Sequence, residues 1–141
     1  MRFAAETVAA ARKVGLPKQP VIAVVDDDRA MREALCELLQ VLSFSCRTFD
    51  GAEAFLAAYA PGAFDCLITD IRMPGINGLE LQQRLKSLGS TVPIIVVTSS
   101  NDLFIRSRAL EHGAMAYLSK PVNDEVLIRH LTAALGRGAN G

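Results

Sequence analysis

The sequence predicts an α/β fold: one doubly wound, parallel, five-stranded sheet with helices on both faces. Three observations carry this. Strand-like and helix-like segments alternate five times between about residues 20 and 136. The strand-like runs are largely apolar and β-branched, as expected where both faces of a sheet are covered. Every connection is short, which requires right-handed crossovers between parallel strands.

Length and composition agree with one domain and a proper core. The chain has 141 residues, half of them hydrophobic. Fifteen basic and fifteen acidic residues cancel. No net field therefore draws the protein to nucleic acid or to an acidic membrane. No apolar run approaches the roughly 20 residues that span a bilayer. Val8-Ala9-Ala10-Ala11 is too short and too weakly apolar for a secretory signal. Cys36, Cys46 and Cys66 form no CxxC and sit in apolar contexts. They read as buried, reduced thiols of a cytoplasmic protein.

Residues 1–19 form a basic, Ala-rich N-terminal arm or extra helix. Arg2, Arg12, Lys13 and Lys18 outweigh Glu6, and Gly15 and Pro17 break any helix before the domain. Val21 to Val25 is the first strand and runs into Asp26-Asp27-Asp28. Asp28 suits the N-cap of a helix with Met31, Leu35, Leu38, Leu39 and Leu42 on one stripe. Phe44 to Phe49 is the second strand, and Asp50 is expected to cap the helix carrying Phe55. Cys66 to Thr69 is the third strand, ending at Asp70 and the breaker pair Pro74-Gly75. Asn77 caps the next helix, through Leu81 and Leu85 to Gly89. Pro93 to Val97 is the fourth strand, followed by Thr98-Ser99-Ser100 and a helix from about Asp102 to His112. Ala114 to Leu118 is the fifth strand, followed by Ser119-Lys120-Pro121. The last helix carries Val122, Val126, Leu127, Leu131 and Leu135, and residues 137–141 read as a flexible tail.

The chemistry-bearing residues fall at the carboxyl ends of the strands, where open α/β sheets bind ligands. Strand one gives Asp26 and Asp27, strand three Asp70, strand four Thr98 and strand five Lys120. Taken singly, each has an ordinary explanation: caps, a strand-end threonine, a surface lysine. Taken together they describe a cleft. Three close carboxylates repel one another unless a cation joins them. Hard oxygen donors in a wet cleft suit Mg²⁺ (or Mn²⁺). A cation, an ammonium and a hydroxyl around one carboxylate are what a transferring phosphoryl group needs. Asp70 can then serve as the nucleophile and carry an aspartyl phosphate.

These motifs resemble the receiver domain of bacterial two-component response regulators. The matching stretches are Val24 to Asp28, Thr69 to Gly75 with Asn77-Gly78, Val97-Thr98, and Tyr117 to Pro121. They span residues 20–136, taken as the receiver domain. Asp50 to Leu56 is most similar to receivers of the nitrogen-fixation regulator type, whose full-length members carry a DNA-binding helix-turn-helix. The resemblance implies a flavodoxin-like fold with strand order 2-1-3-4-5. It implies that Asp70 accepts a phosphoryl group from a histidine kinase. Asp27, Asp70 and the Arg72 backbone carbonyl would ligate Mg²⁺, with Asp26 acting mainly through water. Thr98 and Lys120 would hold phosphoryl oxygens, Thr98 and Tyr117 would form the switch, and the Lys120-Pro121 bond would be cis. The output face would be the fourth helix, fifth strand and fifth helix, meeting a downstream protein or a phosphorylation-dependent homodimer.

The resemblance makes the chain a phosphorelay receiver rather than an enzyme, catalysing only its own phosphorylation and dephosphorylation. A receiver belonging to a longer DNA-binding regulator is the alternative. The stretch after Leu135 has no room for a helix-turn-helix, so this chain is not expected to read DNA itself. An aspartyl-nucleophile phosphatase of the haloacid dehalogenase type places a second Asp two residues after the first, and here that residue is Arg72. Phe104 and Ile105 are candidates for partner contact or for core packing. His112 and His130 lie on helices and are not expected in the cleft.

Overall fold

The computed structural model describes residues 19–140. The expected N-terminal arm lies almost wholly outside them. The elements follow in strict alternation. They are β1 (Val21–Val25), α1 (Arg29–Val41), β2 (Ser45–Phe49), α2 (Ala52–Ala58), β3 (Cys66–Thr69), α3 (Gly78–Ser87), β4 (Ile94–Thr98), α4 (Leu103–Glu111), β5 (Ala116–Ser119) and α5 (Asp124–Asn140). The strands form one parallel sheet in the order β2-β1-β3-β4-β5. This is the flavodoxin-like architecture, and β3 is its central strand, flanked by β1 and β4.

Alternation along each strand divides the core into two layers. Ala23, Val25, Leu67 and Val96 face one side, where they meet Phe55 of α2, Leu81 and Leu85 of α3 and Ala109 of α4. Ile22, Val24, Ile68, Ile95 and Val97 face the other, where they meet Leu35 and Leu39 of α1 and Leu127 and Leu131 of α5. Phe49, Phe55 and Phe64 pack edge-on or tilted in the first layer, with centroids 5.1–6.0 Å apart.

The helix starts follow local chemistry. Asp28 accepts the amides of Ala30 and Met31, Asn77 that of Glu80, Asp102 those of Phe104 and Ile105, and Asn123 that of Val126. Two expectations fail. Asp50 does not cap α2; the helix begins at Ala52, so extended Gly51 occupies the N-cap and makes no side-chain bond. The expected loose tail is helical to Asn140. Gly136 and Gly138 lower helix propensity without forbidding it, and the helix carries through them.

Cys66 is buried, and burial pushes its thiol up to about 12. Cys36 and Cys46 are only half-buried, against expectation, and all three are free. Among the described residues no helix is long and apolar enough to cross a membrane.

Candidate functional site

The register of the sheet builds the site. Val25 lies beside Thr69, Thr69 beside Val96, and Thr98 beside Ser119. The residues leaving β1, β3 and β5 therefore emerge at one edge. Asp70 extends the ladder by donating its amide to the Val25 carbonyl, 3.0 Å away, and the Asp26 amide does the same to Phe49 at 3.1 Å. The chain turns immediately afterwards, so both carboxylates project over the end of the sheet rather than into a layer.

One ligand oxygen from each of Asp26, Asp27 and Asp70 lies within 4.8 Å of the others. Asp26 and Asp70 are buried, whereas Asp27 is exposed. Lys120 bridges the buried pair: its Nζ is 2.8 Å from Asp26 Oδ2 and 2.9 Å from Asp70 Oδ2. The remaining oxygens are also used. Asp26 Oδ1 accepts the Asp28 amide at 2.9 Å, and Asp70 Oδ1 accepts the Ile71 amide at 2.6 Å.

The electrostatics follow from burial. Desolvation pushes the Asp26 carboxyl above the ordinary carboxylate range, against the pull of its Lys120 hydrogen bond. Burial alone would lower the Lys120 pKa, but contact with two carboxylates outweighs it and holds the ammonium above the usual lysine value. Two buried carboxylates thus share one ammonium, with the exposed Asp27 beside them. Their donor set consists of hard oxygens, and one of the three residues is open to water. That composition fits a Mg²⁺-like divalent cation, which keeps several of its waters.

Thr98 is fully buried at the end of β4. Its carbonyl accepts the Lys120 amide at 2.9 Å, which ties the two strand ends together. Its hydroxyl accepts the Ser100 amide at 3.3 Å. Arg72 is exposed on the β3–α3 loop. The Lys120-Pro121 bond is cis, as the resemblance implied.

Tyr117 is half-buried against the α4 layer, and its hydroxyl is buried without a hydrogen-bond partner among the described residues. With Ser100, Asp102 and Arg106 it lines a cavity of about 290 Å³. At the start of α4, Leu103 is 74% exposed and Phe104 68% exposed, while Ile105 packs inward. A groove of about 520 Å³ between α2 and α3 includes none of the acidic cluster.

One contact was not foreseen. Arg32 of α1 donates from Nη1 to the Asp26 backbone carbonyl at 2.7 Å. Arg32 lies one helical turn beyond the Asp28 cap, so its position was readable. Its target is a main-chain atom and was not.

The sequence profile of the response regulator receiver domain matches residues 22–132. The chain is 40% identical over 114 residues to the transcriptional regulatory protein FixJ of Bradyrhizobium diazoefficiens, covering 81% of this chain and 56% of FixJ. It is 38% identical over 115 residues to the response regulator protein TodT of Pseudomonas putida, covering 82% of this chain and 51% of TodT. Among solved structures, FixJ-N superposes with a TM-score of 0.76 at 33% identity, covering 85% of this chain and 96% of that one. The chain spans about half the length of the curated relatives it matches.

Proposed function

Because this chain belongs to the response regulator receiver family of two-component signalling proteins, we propose that Asp70 is the carboxylate that accepts and returns the phosphoryl group. The observation that supports this most directly is the Lys120 bridge between Asp26 and Asp70. It holds a positive charge at one oxygen of the acceptor and leaves the exposed side of the cleft, beside Asp27, open.

The chemistry is an in-line transfer. An Asp70 carboxylate oxygen forms a bond to phosphorus as the bond from phosphorus to the donor breaks. The donor is a phosphohistidine of a kinase, whose nitrogen takes the electron pair, or a small acyl phosphate, whose carboxylate leaves. Asp26, Asp27, Asp70 and the Arg72 carbonyl would hold Mg²⁺, which supplies charge neutralisation to the phosphoryl oxygens when bound. Lys120, already paired with Asp26 and Asp70, would supply a second positive charge to the same oxygens. Thr98 leaves the Ser100 amide to donate its hydroxyl to a phosphoryl oxygen. Its loop shifts with it, and Tyr117 turns toward the vacated space. This biases the face made by α4, β5 and α5, where Leu103 and Phe104 are already bare. That face meets a downstream protein or a second phosphorylated copy, in the cytoplasm. The same receiver serves equally as one part of a longer DNA-binding regulator.

Intact-mass measurement after incubation with acetyl phosphate and Mg²⁺ tests the proposal. Wild type gains the mass of one phosphoryl group and Asp70→Asn gains none. Equal modification of both proteins would place the acceptor elsewhere. A phosphatase reading has less support, because Arg72 stands where a second acid would be needed. Turnover of a generic phosphate ester would restore it.

A further inference from the structure

We infer that Glu53 of α2 and Gly78 of α3 form a two-point clamp on the β3–α3 loop. The clamp fixes the acceptor carboxylate and the Arg72 carbonyl relative to each other. The inference rests on the phosphoryl-acceptor role of Asp70 proposed above, and it assigns work to two residues outside the acidic cluster.

The base of the loop is closed by Gly78. Its amide donates to the Ile71 carbonyl at 2.9 Å. A Cβ built on Gly78 would lie 2.4 Å from the Asp70 carbonyl oxygen and 2.9 Å from the Ile71 Cα. Both neighbours are backbone, so neither can swing aside. The start of α3 therefore presses directly on the main chain of Asp70, and only glycine permits this approach. Asp70 is seated by α3 as well as by the sheet.

The tip of the loop is held from the other direction. Glu53 Oε1 accepts the Ile76 amide at 3.3 Å. A Cβ on Gly75, whose φ is +78°, would lie 2.5 Å from Glu53 Oε2. The carboxylate thus covers the one loop position with left-handed backbone. Between these two anchors the chain from Ile71 to Asn77 is a closed ring, and Arg72 sits within it. Neither anchor touches the reacting atoms, so both are positioning residues.

Glu53→Gln keeps an oxygen that can accept the Ile76 amide, and Glu53→Ala does not. Three measurements on the full chain separate them: Mn²⁺ affinity by titration, hydrogen exchange of the Ile76 amide, and melting temperature. Glu53→Ala should lose exchange protection at Ile76 and bind Mn²⁺ about three- to tenfold more weakly. Its melting temperature should stay close to wild type, since the bond lost is exposed. Glu53→Gln should restore affinity to within about twofold of wild type. Gly78→Ala should abolish phosphorylation by acetyl phosphate and lower the melting temperature, because its Cβ would meet main chain. If that variant does not fold, the Glu53 series decides. Unchanged Ile76 protection and unchanged Mn²⁺ affinity in Glu53→Ala overturn the clamp. If wild type gains no phosphoryl mass under acetyl phosphate, the acceptor role fails, and Ile76 exchange still reports whether Glu53 holds the loop.

Discussion

Lys120 Nζ lies 2.9 Å from Asp70 Oδ2, and the same nitrogen reaches Asp26 Oδ2 at 2.8 Å. One ammonium therefore compensates two buried carboxylates, and its loss leaves both uncompensated. In metal-free buffer at pH 7, Lys120→Met should lower stability by about 1–3 kcal/mol. The dependence on pH has a definite sign. The Asp26 pKa is raised above 3.8 in the folded protein, so the native state holds this proton more firmly than the unfolded chain. Lowering the pH toward that range neutralises Asp26 and narrows the gap between variant and wild type. The raised Lys120 pKa acts at the other end. Its stabilisation is complete below 10.5 and is lost as the pH rises beyond it, in wild type only. Urea titrations across the pH range check both limbs; a gap independent of pH would contradict the pairing.

Asp27 is the exposed member of the acidic cluster. Without metal it repels its neighbours, so Asp27→Ala should stabilise the apo protein by about 0.5–1 kcal/mol. Mg²⁺ at ten times its dissociation constant should raise the stability of wild type by about 1.4 kcal/mol. The variant should gain almost none of this. Thermal melts with Mg²⁺ and with a chelator distinguish the two effects.

Tyr117 buries a hydroxyl that has no partner among the described residues. Tyr117→Phe should therefore be neutral or stabilising by up to about 1 kcal/mol, because it removes an unmet desolvation cost. Tyr117→Ala should still be phosphorylated on Asp70 yet lose phosphorylation-dependent binding or dimerisation. Retained binding would remove Tyr117 from the switch.

Arg72 is exposed on the loop that follows Asp70, the proposed acceptor. Arg72→Ala should change the lifetime of the acyl phosphate by at least about twofold, through altered access of water to the phosphorus. Decay rates of the two phosphorylated proteins, measured by loss of the added mass, settle the point. Identical rates would refute it.

The sheet was legible because its strands are apolar and bounded by strong turn residues. The convergence of Asp26, Asp27, Asp70 and Lys120 was legible for a geometric reason: each sits at the same end of a parallel strand, and register places those ends side by side. The caps at Asp28, Asn77 and Asp102 were legible from local chemistry. Asp50 misled because it carries the right side chain one residue too early. The end of α5 misled because glycine only weakens a helix. The Arg32 contact with the Asp26 carbonyl and the Glu53 contact with the Ile76 amide leave almost no trace in sequence. In both, one partner is main chain, and main chain carries no identity.

The parity of the strands has a further consequence. Adjacent residues of β5 belong to opposite layers: Tyr117 joins the α2–α3–α4 side and Leu118 the α1–α5 side. The proposed motion of Tyr117 and α4 would therefore repack one slab only. The slab beneath, built on Leu35, Leu39, Leu127 and Leu131, would then act as a keel, letting the proposed switch alter the outer surface without loosening the molecule's hold on its own shape.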